Sequence, residues 1–179
     1  PMDQGFDESV IHLAGGMRQV GDFTTWFRGD SAYFDPLLWH NGKQRKYRGY
    51  CSDIFTREAI DFIEKDDSEP FFCYLSYNAP HTPLQVPDAD YQPYADIDPS
   101  AGFENWPGQL PEMTEKDKED ARRVYAMVAN IDDNLGKLFS RMKEIGKMER
   151  TLVIFLTDNG PQQRRYIAGM RGRKGSVYQ

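Results

Sequence analysis

The residues of this 179-residue chain whose types could do chemistry gather in two stretches. Asp158 and Asn159 offer a carboxylate and an amide carbonyl, hard oxygen donors of the kind Ca²⁺ or Mg²⁺ takes, and Gly160 lets the backbone turn so that both can face one ion. Two donors fall short of a coordination sphere, and Asp-Asn-Gly is equally a common turn. Lys174 stands in Gly172-Arg173-Lys174-Gly175-Ser176, where glycines permit close backbone approach to an oxyanion and the ammonium supplies the counter-charge. The glycine spacing is not that of a phosphate-binding P-loop, and the stretch also reads as an exposed basic loop. His81, between Pro80 and Thr82-Pro83, sits on a stiffened segment from which an imidazole can donate to an anion or protonate a leaving group. A loop histidine is also commonly structural. His12 and His40 have no comparable setting and stay unassigned.

These residues need elements to position them. Phe71 to Tyr77 and Thr151 to Thr157 are continuous apolar runs of strand length, read as strands buried on both faces. Between them Ala121, Val124, Val128, Ile131, Leu135, Leu138, Met142 and Ile145 step by three or four residues, which predicts a helix over 115–145 with one buried face. Thr114 with Asp117 makes a capping-box start, and Gly146 is the expected stop. Strand, helix, strand is a βαβ unit, so the two strands should run parallel and deliver His81 and Asp158-Asn159 to the same edge of the sheet, where ligands of open α/β sheets bind. A shorter helix is expected over 52–65, capped by Ser52 or Asp53. Residues 1–50 read as irregular with a hairpin at Asn41-Gly42, and the proline-rich stretch 78–113 as a long functional loop.

Composition bounds the function. The chain is long enough for one core, and no apolar run approaches the roughly 18 to 20 residues that a bilayer requires. The formal charge is −6, yet 159–179 hold Arg164, Arg165, Arg171, Arg173 and Lys174 with no acid, so residues 1–158 hold all 28 acids and sum to −11. An acidic body speaks against nucleic acid as a partner, while a local cationic loop suits a small anionic substrate. Cys51 and Cys73 lack metal-type spacing and read as two small buried hydrophobes, a disulfide between them being possible.

Several stretches, in this order, resemble the formylglycine-dependent sulfatases of the alkaline-phosphatase-like superfamily. They are Gly5-Phe6-Asp7, Pro70-Phe71-Phe72 through Asn78-Ala79-Pro80-His81-Thr82-Pro83, Tyr125 to Gly136, Thr151 to Gly160, and Met170-Arg171-Gly172-Arg173-Lys174-Gly175-Ser176-Val177-Tyr178. The resemblance implies an α/β fold in which a mostly parallel sheet is flanked by helices, here incomplete. It also implies sulfate-ester hydrolysis. Asp158 and Asn159 match a strand-end pair that ligates Ca²⁺, with Mg²⁺ the less favoured ion. Lys174 matches a lysine on the sulfate, and His81 a histidine near the sulfate and the leaving-group oxygen. Both therefore stand as candidate catalytic and substrate-binding residues.

The family's nucleophile is a formylglycine made from Cys or Ser in Cys/Ser-x-Pro-x-Arg, and neither Cys51 nor Cys73 has that context. The paired N-terminal aspartates of the metal site and the Lys-x-His segment are also missing, and Arg173 stands where many members have a second glycine. Residues 1–179 are accordingly read as one internal segment of a sulfatase catalytic domain, inactive alone, completed by the remainder of that domain and directed at a sulfated small molecule or carbohydrate. Two rival readings are a phosphodiesterase or phosphonate hydrolase of the same superfamily, and a non-catalytic module that binds sulfated glycans through the basic loop and the aromatic stretch Tyr91 to Trp106.

Overall fold

The computed structural model describes residues 1–13, 32–65, 69–102, 112–170 and 172–176. Near its start, Asn41 and Gly42 both take positive φ (48° and 77°), as a two-residue type I′ turn requires. The turn joins β2 (Leu37–His40) to β3 (Lys43–Lys46), and β1 (Val10–Ile11) pairs with β2 on its other side, giving an antiparallel sheet in the order β1-β2-β3. The expected hairpin is therefore present, and Leu38 is its fully buried anchor.

Two helices carry the core. α1 (Cys51–Ile63) starts after Tyr50, with no side chain closing its first turn, so neither Ser52 nor Asp53 is the cap. Ser52 is instead buried, and Asp53 accepts hydrogen bonds from Asn134 (2.7 Å) and Asn130 (3.2 Å). A short helix, α2 (Asp88–Tyr91), runs into a 3₁₀ turn at Gln92–Tyr94 within the long proline-rich stretch. α3 (Glu115–Glu144) matches its expected span almost to the residue. Its start is the expected capping box: the Thr114 hydroxyl accepts from the Asp117 amide at 3.1 Å and the Asp117 carboxylate accepts from the Thr114 amide at 2.9 Å. Gly146, at φ 69°, lets the chain leave the helix in a conformation that β-carbon sterics deny other residues.

On the buried face of α3, Ala126 and Met127 share one core cluster with Ile54 and Phe55 of α1, and Leu138 and Met142 share a second with Ile63. Between the helices, Asn130 also donates to Asp90 of α2 at 2.9 Å, so one polar knot ties all three helices together. Hydrogen-bonded amides and carboxylates make such a knot tolerable in a core; deleting one member strands the others.

The two runs read as buried parallel strands require correction. Residues 71–77 form no ladder with any described residue, and their burial alternates: Phe71, Cys73, Leu75 and Tyr77 turn toward the helices while Phe72 and Tyr74 are 73% and 75% exposed. One face rests on the α1–α3 pair, and no neighbouring strand among the described residues covers the other. Residues 151–157 also lack a ladder, and Leu152, Ile154, Phe155 and Leu156 are 70–85% exposed. The α/β class stands, since the chain is a small sheet with helices; the parallel pairing of 71–77 with 151–157 is absent among the described residues. No disulfide joins Cys51 and Cys73. Cys51 is buried as expected and Cys73 is only half-buried, its thiol pKa raised by burial. Among the described residues no helix is long and apolar enough to cross a membrane.

Candidate functional site

His81 lies on a loop held at both ends by buried tyrosines. The Tyr33 hydroxyl donates to the His81 carbonyl at 2.9 Å, the Tyr50 hydroxyl donates to the Gln85 carbonyl at 2.7 Å, and the Gln85 side-chain oxygen accepts from the Tyr33 amide at 2.9 Å. The His81 amide itself donates to the Asn78 carbonyl at 2.8 Å, closing a turn. Tyr33 is fully buried and Tyr50 nearly so; burial, ahead of their electrostatic neighbours, pushes both hydroxyls far above the usual tyrosine range. Both are therefore protonated donors throughout the physiological range.

The loop's hydrogen bonds also fix the imidazole. His81 Nδ1 lies 2.7 Å from the Thr82 carbonyl, which can only accept, so Nδ1 carries the proton. Nε2 then presents its lone pair, and Lys174 Nζ meets it at 3.2 Å. Two candidate residues separated by 93 positions in sequence thus touch.

Lys174 is placed by its own loop. Its amide donates to the Pro161 carbonyl at 2.9 Å, and Gly160 faces the backbone of Arg173 so closely that a β-carbon there would sit 3.8 Å from its Cα. The Asp158-Asn159-Gly160 corner and the glycine-rich basic stretch are therefore neighbours, brought together by a loop contact and not by a sheet edge. Gly172 and Gly175 take positive φ (82° and 81°), which glycine alone adopts freely.

Asp158 and Asn159 are exposed and make no hydrogen bond or ion pair with the described residues. Their oxygens are chemically suited to Ca²⁺ or Mg²⁺ and uncommitted, but no group of three or more His, Cys, Asp or Glu side chains among the described residues gathers to hold a metal. The donor set fits a hard cation in kind and is short in number. His40 accounts for itself structurally, its Nδ1 lying 2.6 Å from the Tyr47 hydroxyl.

Next to His81, a groove of about 450 Å³ runs between Thr82–Gln85, the first turns of α3 (Lys116, Asp120, Arg123) and Gln163. Its charges are partly spoken for, Lys116 pairing with Asp120 and Arg123 with Glu119. Beyond Gln163, Arg165 is half-buried beside Tyr125; burial lowers its guanidinium pKa. Sequence reasoning missed Tyr33, Tyr50, Gln85 and this groove. The one available signal was chemical: tyrosines and an amide in otherwise apolar surroundings must find partners, and the nearest polar sequence was the His81 loop.

Comparison with known proteins gives a consistent answer. The Sulfatase family model matches residues 3–176. The arylsulfatase of Klebsiella aerogenes is 29% identical over 192 residues, covering 89% of this chain and 41% of its own length. YdeN, an uncharacterized sulfatase of Escherichia coli (strain K12), is 28% identical over 164 residues, covering 89% of this chain and 23% of its own. The crystal structure of Ps i-CgsB in complex with k-i-k-neocarrahexaose aligns with a TM-score of 0.64 at 33% identity, over 89% of this chain and 34% of that one. The chain spans well under half the length of these relatives.

Proposed function

Because this chain belongs to the sulfatase family, we propose that the polypeptide carrying it is a sulfuric ester hydrolase and that these residues form the sulfate-binding side of its active site. The observation that carries the proposal is the contact of Lys174 Nζ with His81 Nε2, which sets two potential cations side by side at the end of a braced loop. With no substrate bound, the neutral imidazole serves as acceptor to the ammonium. A sulfate entering between them takes the ammonium's N–H for itself, and His81, once protonated at Nε2, becomes a second donor. That proton, taken up from solvent, is then in place for the alkoxide oxygen as the S–O bond breaks, which is general acid catalysis. The fixed charge of Lys174 stabilises the negative charge that builds on the sulfate oxygens in the transition state.

Asp158 and Asn159 are the residues that would hold Ca²⁺, or less favourably Mg²⁺, which when bound offsets charge on the sulfate oxygens. The nucleophile, a formylglycine in this family, and the remaining metal ligands come in this reading from parts of the protein outside the 179 residues. The exposed run Leu152–Leu156 is where that remainder of the domain packs, since so much contiguous apolar surface is costly in water. The substrate class is a sulfated carbohydrate. In support, Ps i-CgsB was crystallised in complex with k-i-k-neocarrahexaose, and the groove beside Thr82–Gln85 mixes apolar with charged and amide side chains and, at about 450 Å³, has room for a sugar unit adjacent to the sulfated one.

The test uses the complete gene product, assayed for sulfate release from a sulfated oligosaccharide and from an aryl sulfate. Turnover of at least one is expected, with the 179-residue polypeptide inactive alone. Sulfate release by the isolated polypeptide, or none by the complete product on any sulfate ester, overturns the proposal. Calcium titration of the isolated polypeptide should give a dissociation constant weaker than about 1 mM, because two oxygen donors are a fraction of the usual six to eight.

A further inference from the structure

We infer that Tyr33 and Tyr50 are positioning residues that hold the His81 imidazole with its proton on Nδ1 and its Nε2 turned to Lys174. As a role in catalysis the inference rests on the functional reading above; as a statement about the imidazole it stands on the geometry alone. The residues form a closed brace. Tyr33 and Tyr50 stack with ring centroids 5.8 Å apart and planes 23° apart, and the Tyr33 carbonyl accepts from the Cys51 amide at 2.9 Å, which fastens the pair to the first turn of α1. From that anchor three hydrogen bonds reach the loop: Tyr33 to the His81 carbonyl, Tyr33 amide to the Gln85 side chain, and Tyr50 to the Gln85 carbonyl. The two ends of the five-residue span 81–85 are thus tied to one rigid point.

The tie matters at His81 because the imidazole bonds a carbonyl of the same loop. Nδ1 donates to the Thr82 carbonyl, one peptide unit beyond the carbonyl that Tyr33 holds. If the His81 peptide unit rotates, the Thr82 carbonyl leaves the plane of the ring, Nδ1 loses its acceptor and the proton redistributes to Nε2. An Nε2–H directed at the Lys174 ammonium is a donor facing a donor, so the pair parts. A hydroxyl from the hydrophobic core therefore sets which ring nitrogen is available at the surface. This is the arrangement by which an orienting hydrogen bond on one imidazole nitrogen determines the chemistry of the other.

The experiment compares Tyr33→Phe, Tyr50→Phe and a matched control, Tyr47→Phe, in the complete gene product. Tyr47 is also a buried tyrosine, but its hydroxyl meets His40, away from the loop. All three changes keep the ring and delete one hydrogen-bonding hydroxyl, and Tyr47→Phe reports the cost of such a loss away from the loop. The first readout is the ¹⁵N signal of the His81 ring, assigned by its loss in His81→Gln. The wild type and Tyr47→Phe should show Nδ1 protonated, with Tyr33→Phe giving a tautomer mixture and Tyr50→Phe a smaller change of the same sign. The second readout is turnover: Tyr33→Phe should lower kcat about tenfold with KM within about twofold, since misplacing a catalytic group acts on the chemical step. Tyr33→Phe matching Tyr47→Phe in both tautomer and kcat overturns the inference. If Tyr33→Phe does not fold, Tyr50→Phe decides by the same two readouts. A wild type that shows the Nδ1–H tautomer yet hydrolyses no sulfate ester sinks the functional reading and leaves the brace standing.

Discussion

The His81 side of the site and the Lys174 side are held by different means. His81 sits on a loop tied to the α1–α3 core by buried hydroxyls, and its neighbours Tyr33, Tyr50, Ala79 and Val86 belong to that core. Lys174 and the Asp158-Asn159 pair follow the exposed run Leu152–Leu156, and among the described residues their loop is held by the Lys174 amide on the Pro161 carbonyl, by Arg164 donating to the Glu112 carbonyl at 3.0 Å and by the contact with His81 itself. One half of the site is shaped by packing within this chain. The other half carries more charge and more uncommitted donors but less support, so its final geometry depends on what covers the apolar run. Rigid placement and chemical endowment are thus divided between the two halves.

The comparison can be sharpened by substitution. The largest effect is expected at the charge: Lys174→Ala in the complete gene product should lower kcat/KM for sulfate esters by about 10²- to 10³-fold, as removal of a donor to developing oxyanion charge does elsewhere. The melting temperature should be unchanged, because Lys174 is exposed. The core side should behave in the opposite way. Met127→Ala, at a fully buried position between the helices, should cost about 2 to 5 kcal/mol in urea unfolding of this polypeptide. Ile154→Ala, at 70% exposure, should stay within about 0.5 kcal/mol in the same assay. A large loss at Ile154 would show that the run is packed within the chain and break the contrast.

Below these comes Thr114→Ala, which removes the capping box of α3 and should cost about 1 kcal/mol. The smallest effect at neutral pH is that of tyrosine ionisation, which appears only in alkali. Burial raises the Tyr33, Tyr47 and Tyr50 hydroxyls above their ordinary 10.0, Tyr47 to about 12, with Glu58 as the next contributor there. Raised pKa values mean stability present in full below pH 10 and lost as pH rises toward and beyond 12. The urea midpoint should therefore fall from about pH 10 upward, and the amide protons of the His81 loop should lose protection in the same range. A midpoint flat through that range contradicts the assigned burial.

Much of this was legible in the sequence, for identifiable reasons. The α3 boundaries were readable because its apolar period, Thr114–Asp117 cap and Gly146 exit agree with one another, and the Asn41-Gly42 hairpin because that dipeptide favours positive φ. The runs 71–77 and 151–157 misled because an apolar run announces a buried strand whether or not the covering partner is in the same stretch of chain. Of the site, the residue types at His81 and Lys174 drew attention, but the shared-edge argument joined His81 to Asp158-Asn159 through parallel strands and did not foresee the contact of His81 with Lys174. The tyrosine brace was illegible, since it joins the Tyr33 amide to the Gln85 side chain across 52 positions and sends the two tyrosine hydroxyls to backbone carbonyls that no side-chain pattern reports. The groove was hidden for a similar reason: Thr82, Lys116 and Gln163 are assembled only by tertiary packing.

The most direct test of the central claim is the relative turnover, by the complete gene product, of a sulfate ester and the phosphate ester of the same alcohol at neutral pH. Lys174 and neutral His81 offer one fixed cation and one switchable donor, a set suited to the single charge of a sulfate monoester and weak for a phosphate dianion. Faster hydrolysis of the sulfate ester is the predicted result, with the preference reduced in Lys174→Ala. Faster hydrolysis of the phosphate ester would contradict the account.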